Sequence, residues 1–457
     1  MALAYGVHHY RYERLTQVAG STFWTHIVLI SAISYALLSR RLIMVLSTGG
    51  RGNLQVLDLW IPTLALLVSF VVGSGRKVNL VRRDSSLLFW LPYVVITAVL
   101  PILAIVFENY PLRNIYTAIQ GLVAFAFIVL GGWIATSGKE VLKLVSRYAA
   151  IAVIGEALIA LIDYLNKTGL YPSSIGQFLL AWNVASENTL GEYSFLSWRC
   201  VGTFVSPNEL GFWSVMAFWI SARLIHGVTG VIGVVAALLT MVLSQSRGSM
   251  FALIGTVILW IGFVTFSRDP RLRGVRNVTH ISAVCCILLV AWSGVVLSQS
   301  GNVSVAGEFS FIDRFRNGLR VLVEGVSADS NAQARLAAWR SALQFYYNHP
   351  LGTWATPRLV FGHYIDNDYV RTFVQGSPLY LIAVLLALFG GFRQMTGRGS
   401  AARTTALFAG AIAINGMSAY PLLYPCIGLY WLNVGYDMAV ERRRRVDLEL
   451  DLFRRRV

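Results

Sequence analysis

Apolar runs of about twenty residues, separated by short polar stretches, recur along most of the 457-residue chain. A window of about 19 residues, roughly what a helix needs to cross a hydrocarbon core, picks out about twelve of them. They lie near 22–38, 54–74, 87–107, 114–136, 147–164, 207–226, 228–245, 248–266, 280–298, 376–394, 404–419 and 421–439. The pattern predicts an all-α polytopic membrane protein, with residues 1–457 forming a single integral membrane domain. Two stretches, 165–206 and 299–372, contain no such run. Loops of that length are usually functional or disordered. The second carries Trp339, Phe345, Tyr346, Tyr347, Trp354, Phe361, Tyr364 and Tyr369, too much aromatic surface to leave in water. Helical spacing puts Leu336, Trp339, Leu343 and Tyr346 on one stripe, so this loop is expected to fold onto the bundle as short helices.

Composition agrees with the pattern: 56% of residues are hydrophobic and 13% charged. The formal net charge of +16 is accounted for by cytoplasmic loops facing anionic lipid, so no nucleic-acid partner is expected. If the N-terminus is cytoplasmic, most of the 38 Lys and Arg residues lie on that side. They include Arg76, Lys77, Arg82 and Arg83, then Lys139, Lys143 and Arg147, then Arg268, Arg271, Arg273 and Arg276, and a basic tail at 440–457. Arg40, Arg41 and Arg51 run against the rule. Both termini are then cytoplasmic, and both long loops emerge on the same outer face. The N-terminus, with His8, His9, Arg11 and Arg14 leading into a full span, gives no expectation of a cleaved signal peptide. Four cysteines define neither a disulfide framework nor a zinc site.

The outer face gathers Arg199, Arg247, Arg314, Arg316, Arg320, Arg335, Arg340, Arg358 and Arg371. Guanidinium binds phosphate bidentately and stays charged, so such a cluster at a membrane surface suits a lipid-linked diphosphate. The bland alternative is pairing with Glu308, Asp313, Glu324, Asp329, Asp366 and Asp368. Arg247 stands apart: in Ser244-Gln245-Ser246-Arg247-Gly248-Ser249 it occupies the turn of an otherwise apolar hairpin, where a charge must face water, a partner or a ligand. A general base for an acceptor hydroxyl is available in His349, His363, Asp366 or Asp368, with Glu187, Glu192 and Glu209 opposite. His349 precedes a Pro/Gly turn and also suits a helix C-terminus, and Asp366 and Asp368 also suit N-caps. Glu156, mid-span, is a functional intramembrane charge by default. With no Asp-x-Asp in a cytoplasmic loop, no phosphate-cradling glycine loop and no His-Glu-x-x-His, nucleotide-sugar transferases, ATPases and zinc proteases lose support.

Four motifs fall in order over about residues 200–395: Ser206-Pro207-Asn208-Glu209-Leu210; Ser244 to Ser249; Arg335 and Trp339-Arg340 leading to Asn348-His349-Pro350-Leu351-Gly352; and Asp366-Asn367-Asp368-Tyr369 running into Gly376. Together they resemble the O-antigen ligase and polymerase superfamily of bacterial envelopes. The resemblance implies an inverting, metal-independent, GT-C-like glycosyltransferase that needs no cofactor and acts on undecaprenyl-diphosphate-linked oligosaccharide at the periplasmic face of the bacterial inner membrane. By it, Arg247, Arg335, Arg340 and Arg199 bind the diphosphate, Trp339, Tyr369 and Asn208 contact glycan, and Asp366, His349 or His363 is catalytic. Family ligases carry a His-Asn-type pair where this chain has Asp366-Asn367, which favours a polymerase of repeat units, unless His363 serves instead. A flippase and a chain-length regulator are the partners the family implies, beside membrane lipids. The rivals are a ligase that transfers finished glycan to lipid A-core and a transporter or lipid flippase. Against the latter stand the absence of an internal repeat or paired broken spans and the heavy outer loop.

Overall fold

The computed structural model describes residues 87–110, 118–137, 139–167, 199–204, 206–224, 227–266, 324–325, 327, 330–355, 357–362, 365–396 and 400–454. Among these residues all regular structure is helical. In chain order the helices are α1 (Leu87–Glu108), α2 (Ala118–Ser137), α3 (Lys139–Lys167), α4 (Pro207–Ala222), α5 (Val228–Ser244) and α6 (Arg247–Phe266). There follow α7 (Ser330–Asn348), α8 (Pro357–Phe361), α9 (Asp368–Phe392), α10 (Ser400–Asn415) and α11 (Ile427–Arg454), with short 3-10 turns at Arg393–Thr396 and Pro421–Leu423. Nine of the twelve expected spans coincide with described helices; those near 22–38, 54–74 and 280–298 lie outside the described residues. Four helical stretches, Leu88–Glu108, Leu142–Asn166, Arg247–Phe266 and Asp368–Thr396, are long and apolar enough to cross a membrane. The chain is therefore a helical membrane protein.

The helices pack as neighbours: α2 against α11, α5 against α3 and α4, α6 against α10, and α9 against α1 and α10. One buried cluster runs through them, with Trp213, Trp431, Tyr93, Tyr380 and Phe408 among its largest members. Large apolar residues such as Leu88, Ile151, Ile258 and Phe389 stay on the outside, as a lipid-facing surface requires. Without a hydrophobic drive between helices in lipid, close packing depends on small residues at the contact. Gly131 and Gly435 show this between α2 and α11. A Cβ on Gly131 would run into the Leu432 carbonyl and lie 2.8 Å from the Tyr436 nitrogen, and one on Gly435 would run into the Ile128 carbonyl. Backbone cannot yield as a side chain can, and overpacking of this kind costs about 1–3 kcal/mol. Gly131→Ala is therefore expected to lower the thermal midpoint in detergent by several degrees; an unchanged midpoint would mean that the two helices do not approach this closely.

Two boundaries differ from the sequence expectation, and both bear on the site. The long loop ends earlier than residue 372, because α9 starts at Asp368. The apolar run expected at 421–439 yields only a 3-10 turn at first, and α11 begins at Ile427 and continues through the basic stretch to Arg454. Pro421 and Pro425 account for the delay, since proline lacks the N–H that a helix interior needs.

Candidate functional site

Hydrogen bonds from Ser246 to Asn208, from Asn415 to Ser249 and from the Asp368 amide to the Gly416 carbonyl bring the start of α4, the α5–α6 turn, the start of α9 and the end of α10 together at one end of the bundle. Ser206 caps α4: its hydroxyl accepts from the Glu209 amide at 3.2 Å, with Pro207 at the first helical position. This is the N-cap chemistry that Ser-Pro-Asn-Glu encodes. The α5–α6 turn is closed by Gln245 in the left-handed region at φ 50. Gly211 of α4 lets it dock, because a Cβ there would meet Ser246 Cβ at 2.6 Å and Ser244 Oγ at 2.7 Å.

Arg199 Nε donates to the Ser244 carbonyl at 3.2 Å, and its Nη2 donates to Asn208 Oδ1 at 2.9 Å. Ser246 Oγ donates to the same Asn208 oxygen at 3.3 Å and shares a 2.8 Å hydrogen bond with Ser249 Oγ. Asn415 Nδ2 reaches Ser249 Oγ at 3.5 Å. Arg199, Asn208 and the turn carrying Arg247 are thus tied together. Arg247 itself begins α6 and is half-buried.

Beneath Arg199, two carboxylates of α3 hold the turn at 199–204. Glu156 accepts from the Thr203 amide at 2.6 Å and the Thr203 hydroxyl at 2.8 Å, while Asp163 accepts from the Val201 amide at 3.3 Å. Gly202, at φ 52, leaves room for the Glu156 carboxylate, which a Cβ would strike. The intramembrane Glu156 thus clasps the turn that leads out of Arg199.

The start of α9 forms the other half. Its N-cap is Asn367, whose side chain accepts from the Tyr369 and Val370 amides at 2.9 Å each; neither Asp366 nor Asp368 takes that role. Asp368 is instead buried, with Oδ1 paired to Arg371 at 2.7 and 2.8 Å and Oδ2 accepting from the Leu422 amide at 2.9 Å. Its own amide donates to the Gly416 carbonyl at 2.8 Å, and Asn367 Nδ2 donates to the Met417 carbonyl at 3.0 Å. Asn367 and Asp368 therefore grip the 416–422 segment after α10. Asp366 faces outward and meets Arg335 of α7 at 3.5 Å, with about a third of each side chain exposed. Arg371, read from the sequence as one of the phosphate-facing arginines, is buried on Asp368 and Gln375.

α9 is broken at Gly376 and Ser377, the latter at φ 61, ψ −175. The break is answered from the Asn-His-Pro-Leu-Gly motif. Pro378 has no N–H for the Val374 carbonyl, and the Thr353 amide takes that carbonyl at 2.9 Å, as the Trp354 amide takes Gln375. Gly352, at φ 88, is required by the approach, since a Cβ would lie 2.6 Å from the Gln375 carbonyl.

The remaining candidates divide. His349 is exposed after α7, its ring stacked on Phe345 at 4.2 Å. Arg340 is exposed on α7. Trp339 is half-buried against Ala342, Ile365 and Val374, and its indole Nε1 is buried. The packed stripe of α7 runs through Ala342 rather than Leu343, which is 38% exposed, because the helix meets α9 at a slight rotation from the expected face. Tyr369 spends its hydroxyl on the Ala413 carbonyl at 2.7 Å. His363, Glu187, Glu192, Arg314, Arg316 and Arg320 lie outside the described residues. Among the described residues no group of three His, Cys, Asp or Glu side chains gathers as a metal site.

Residues 232–377 match the family model described as O-antigen ligase. That match supports the O-antigen ligase/polymerase superfamily. It spans Arg247, Arg335, Trp339, Arg340, His349, Asp366 and Tyr369. Arg199, Asn208 and the 415–426 segment lie outside it, and reach the superfamily segment only through the contacts above. No curated protein matches the chain. The sequence reading included Ser246 and Ser249 in the Ser244–Ser249 motif without giving them a role, and it missed Asn415, whose signal was only its place at a span end. It also missed 416–426, whose Pro421 and Pro425 mark a non-helical insertion.

Proposed function

We propose that the protein polymerises lipid-linked oligosaccharide repeat units by inverting glycosyl transfer at the periplasmic face. One undecaprenyl-diphosphate-linked chain is the donor and the terminal sugar of a second is the acceptor. The observation that carries this reading is the joining of Arg199, Asn208 and the Arg247 turn at the same end of the bundle as the Arg335–Asp366 pair. Guanidinium groups on one side suit a diphosphate and a half-exposed carboxylate on the other suits an acceptor hydroxyl.

In this mechanism Arg247, with Arg199 and Arg335, receives the diphosphate. Asp366 takes the proton of the acceptor hydroxyl, whose oxygen forms a bond to the anomeric carbon from the face opposite the leaving group. The anomeric C–O bond to phosphate breaks, and its electron pair leaves with the diphosphate, stabilised by the arginines. Fixed charges placed where charge develops are usually the largest catalytic contribution. His349 and His363 are the alternative bases, and Arg340, Trp339 and Tyr369 line the same segment as glycan or phosphate contacts.

The test is purified protein in detergent with a lipid-linked repeat unit as sole substrate and EDTA present. A ladder of longer lipid-linked products is the expected result. The description of the matched family as O-antigen ligase favours a second reading, transfer to lipid A-core. No ladder, but product once a lipid A-core acceptor is added, would replace polymerase by ligase; neither product would point to a carrier. In cells, loss of a polymerase leaves single repeat units, and loss of a ligase leaves long lipid-linked chains.

A further inference from the structure

The segment between α10 and α11 holds a buried hydroxyl that the proposed chemistry has not used. Tyr424 is 4% exposed, and its hydroxyl has no hydrogen-bond partner among the described residues. A buried hydroxyl without a partner is destabilising, and native structures rarely keep one without cause. The ring cannot swing to find a partner: it packs on Phe212 of α4 with centroids 6.0 Å apart and on Tyr420 at 5.4 Å, and the Tyr424 amide donates to the Pro421 carbonyl. Glu209 of α4 and the Asp366 and Asp368 carboxylates at the start of α9 all act electrostatically on this hydroxyl. Asp366 and Asp368 are each already paired with an arginine, so an uncharged, hydrogen-bonding group suits the hydroxyl better than a phosphate. Two further buried oxygens at the same end of the bundle also lack partners among the described residues: Gln245 Oε1 in the α5–α6 turn and Asn415 Oδ1 at the end of α10. Such oxygens match the hydroxyl donors of a sugar.

We infer that Tyr424 is an acceptor-binding residue: its hydroxyl hydrogen-bonds the acceptor sugar and seats the reacting hydroxyl beside Asp366. This rests on the glycosyl-transfer reading. It adds a neutral sugar-binding group, Tyr424, to a site whose diphosphate is held by Arg199 and Arg247.

The test is Tyr424→Phe, which keeps the ring packing and removes only the hydroxyl. Transfer is measured with a saturating lipid-linked repeat unit as donor and a lipid-free repeat-unit glycoside as the varied acceptor. The acceptor KM is expected to rise about tenfold, equivalent to about 1.4 kcal/mol, with the donor KM unchanged. The thermal midpoint is expected to hold or rise, because an unpaired buried hydroxyl has been deleted. A purely structural role would lower the midpoint and leave the acceptor KM alone, and that result overturns the inference. So does a changed donor KM with an unchanged acceptor KM. Wild-type protein that transfers to no glycan acceptor defeats the glycosyl-transfer reading itself; wild-type transfer with an unaltered Tyr424→Phe profile defeats only the assignment of Tyr424.

Discussion

Arg247→Ala abolishes chain extension, by about 100-fold or more, while the protein stays folded and membrane-inserted. The size of the effect follows from the role: removing one preorganised group that stabilises charge in the transition state costs about 100- to 1000-fold in kcat. The survival of the fold follows from the local structure. The α5–α6 turn is held by Ser246, Ser249, Asn208 and the left-handed Gln245, not by the Arg247 side chain alone. Alanine is also a good residue in the first turn of a helix. Arg247→Lys gives an intermediate loss, since lysine keeps the charge but not the bidentate geometry. The readout is the glycan ladder beside a membrane-fraction immunoblot and size-exclusion profile. Normal-length polymer from Arg247→Ala would remove the arginine from the mechanism.

The local structure around these residues was legible in part from the sequence, and the limits are physical ones. A charge in an apolar hairpin is costly in lipid, so Arg247 announces itself. Ser-Pro-Asn-Glu encodes a helix start, and the start is where it was expected. What the pattern could not give is the assignment of roles within Asp366-Asn367-Asp368. Three adjacent polar residues before a helix all suit capping, and only tertiary contacts decide which one caps, which is buried and which faces out. The break in α9 was illegible for a similar reason. Gly376-Ser377-Pro378 weakens any helix, but that the loop at Thr353 and Trp354 supplies the missing donors depends on contacts between distant parts of the chain. Tyr424 sits in a run apolar enough to pass for a continuous span, and only the two prolines betray the interruption.

The two aspartates of this triplet are expected to behave in opposite ways. Asp368→Ala leaves the Arg371 guanidinium buried at 4% side-chain exposure without its counter-charge, and also orphans the Leu422 amide. Breaking a buried pair by removing one partner costs about 3–5 kcal/mol, so this variant loses expression and thermal stability, and activity falls with the amount of folded protein. Asp366 is partly exposed and lies 3.5 Å from Arg335. An exposed pair of this kind contributes about 0–1 kcal/mol. Asp366→Asn therefore leaves the midpoint within a degree or two of wild type, yet lowers the rate by about 100-fold or more, the usual range for a lost general base. Thermal unfolding and single-turnover transfer on the same two preparations separate stability from chemistry. A stable Asp366→Asn protein with an unchanged rate would pass the role of base to His349 or His363. A stable Asp368→Ala protein would mean that the grip of α9 on the 416–422 segment is not what holds this end of the bundle together.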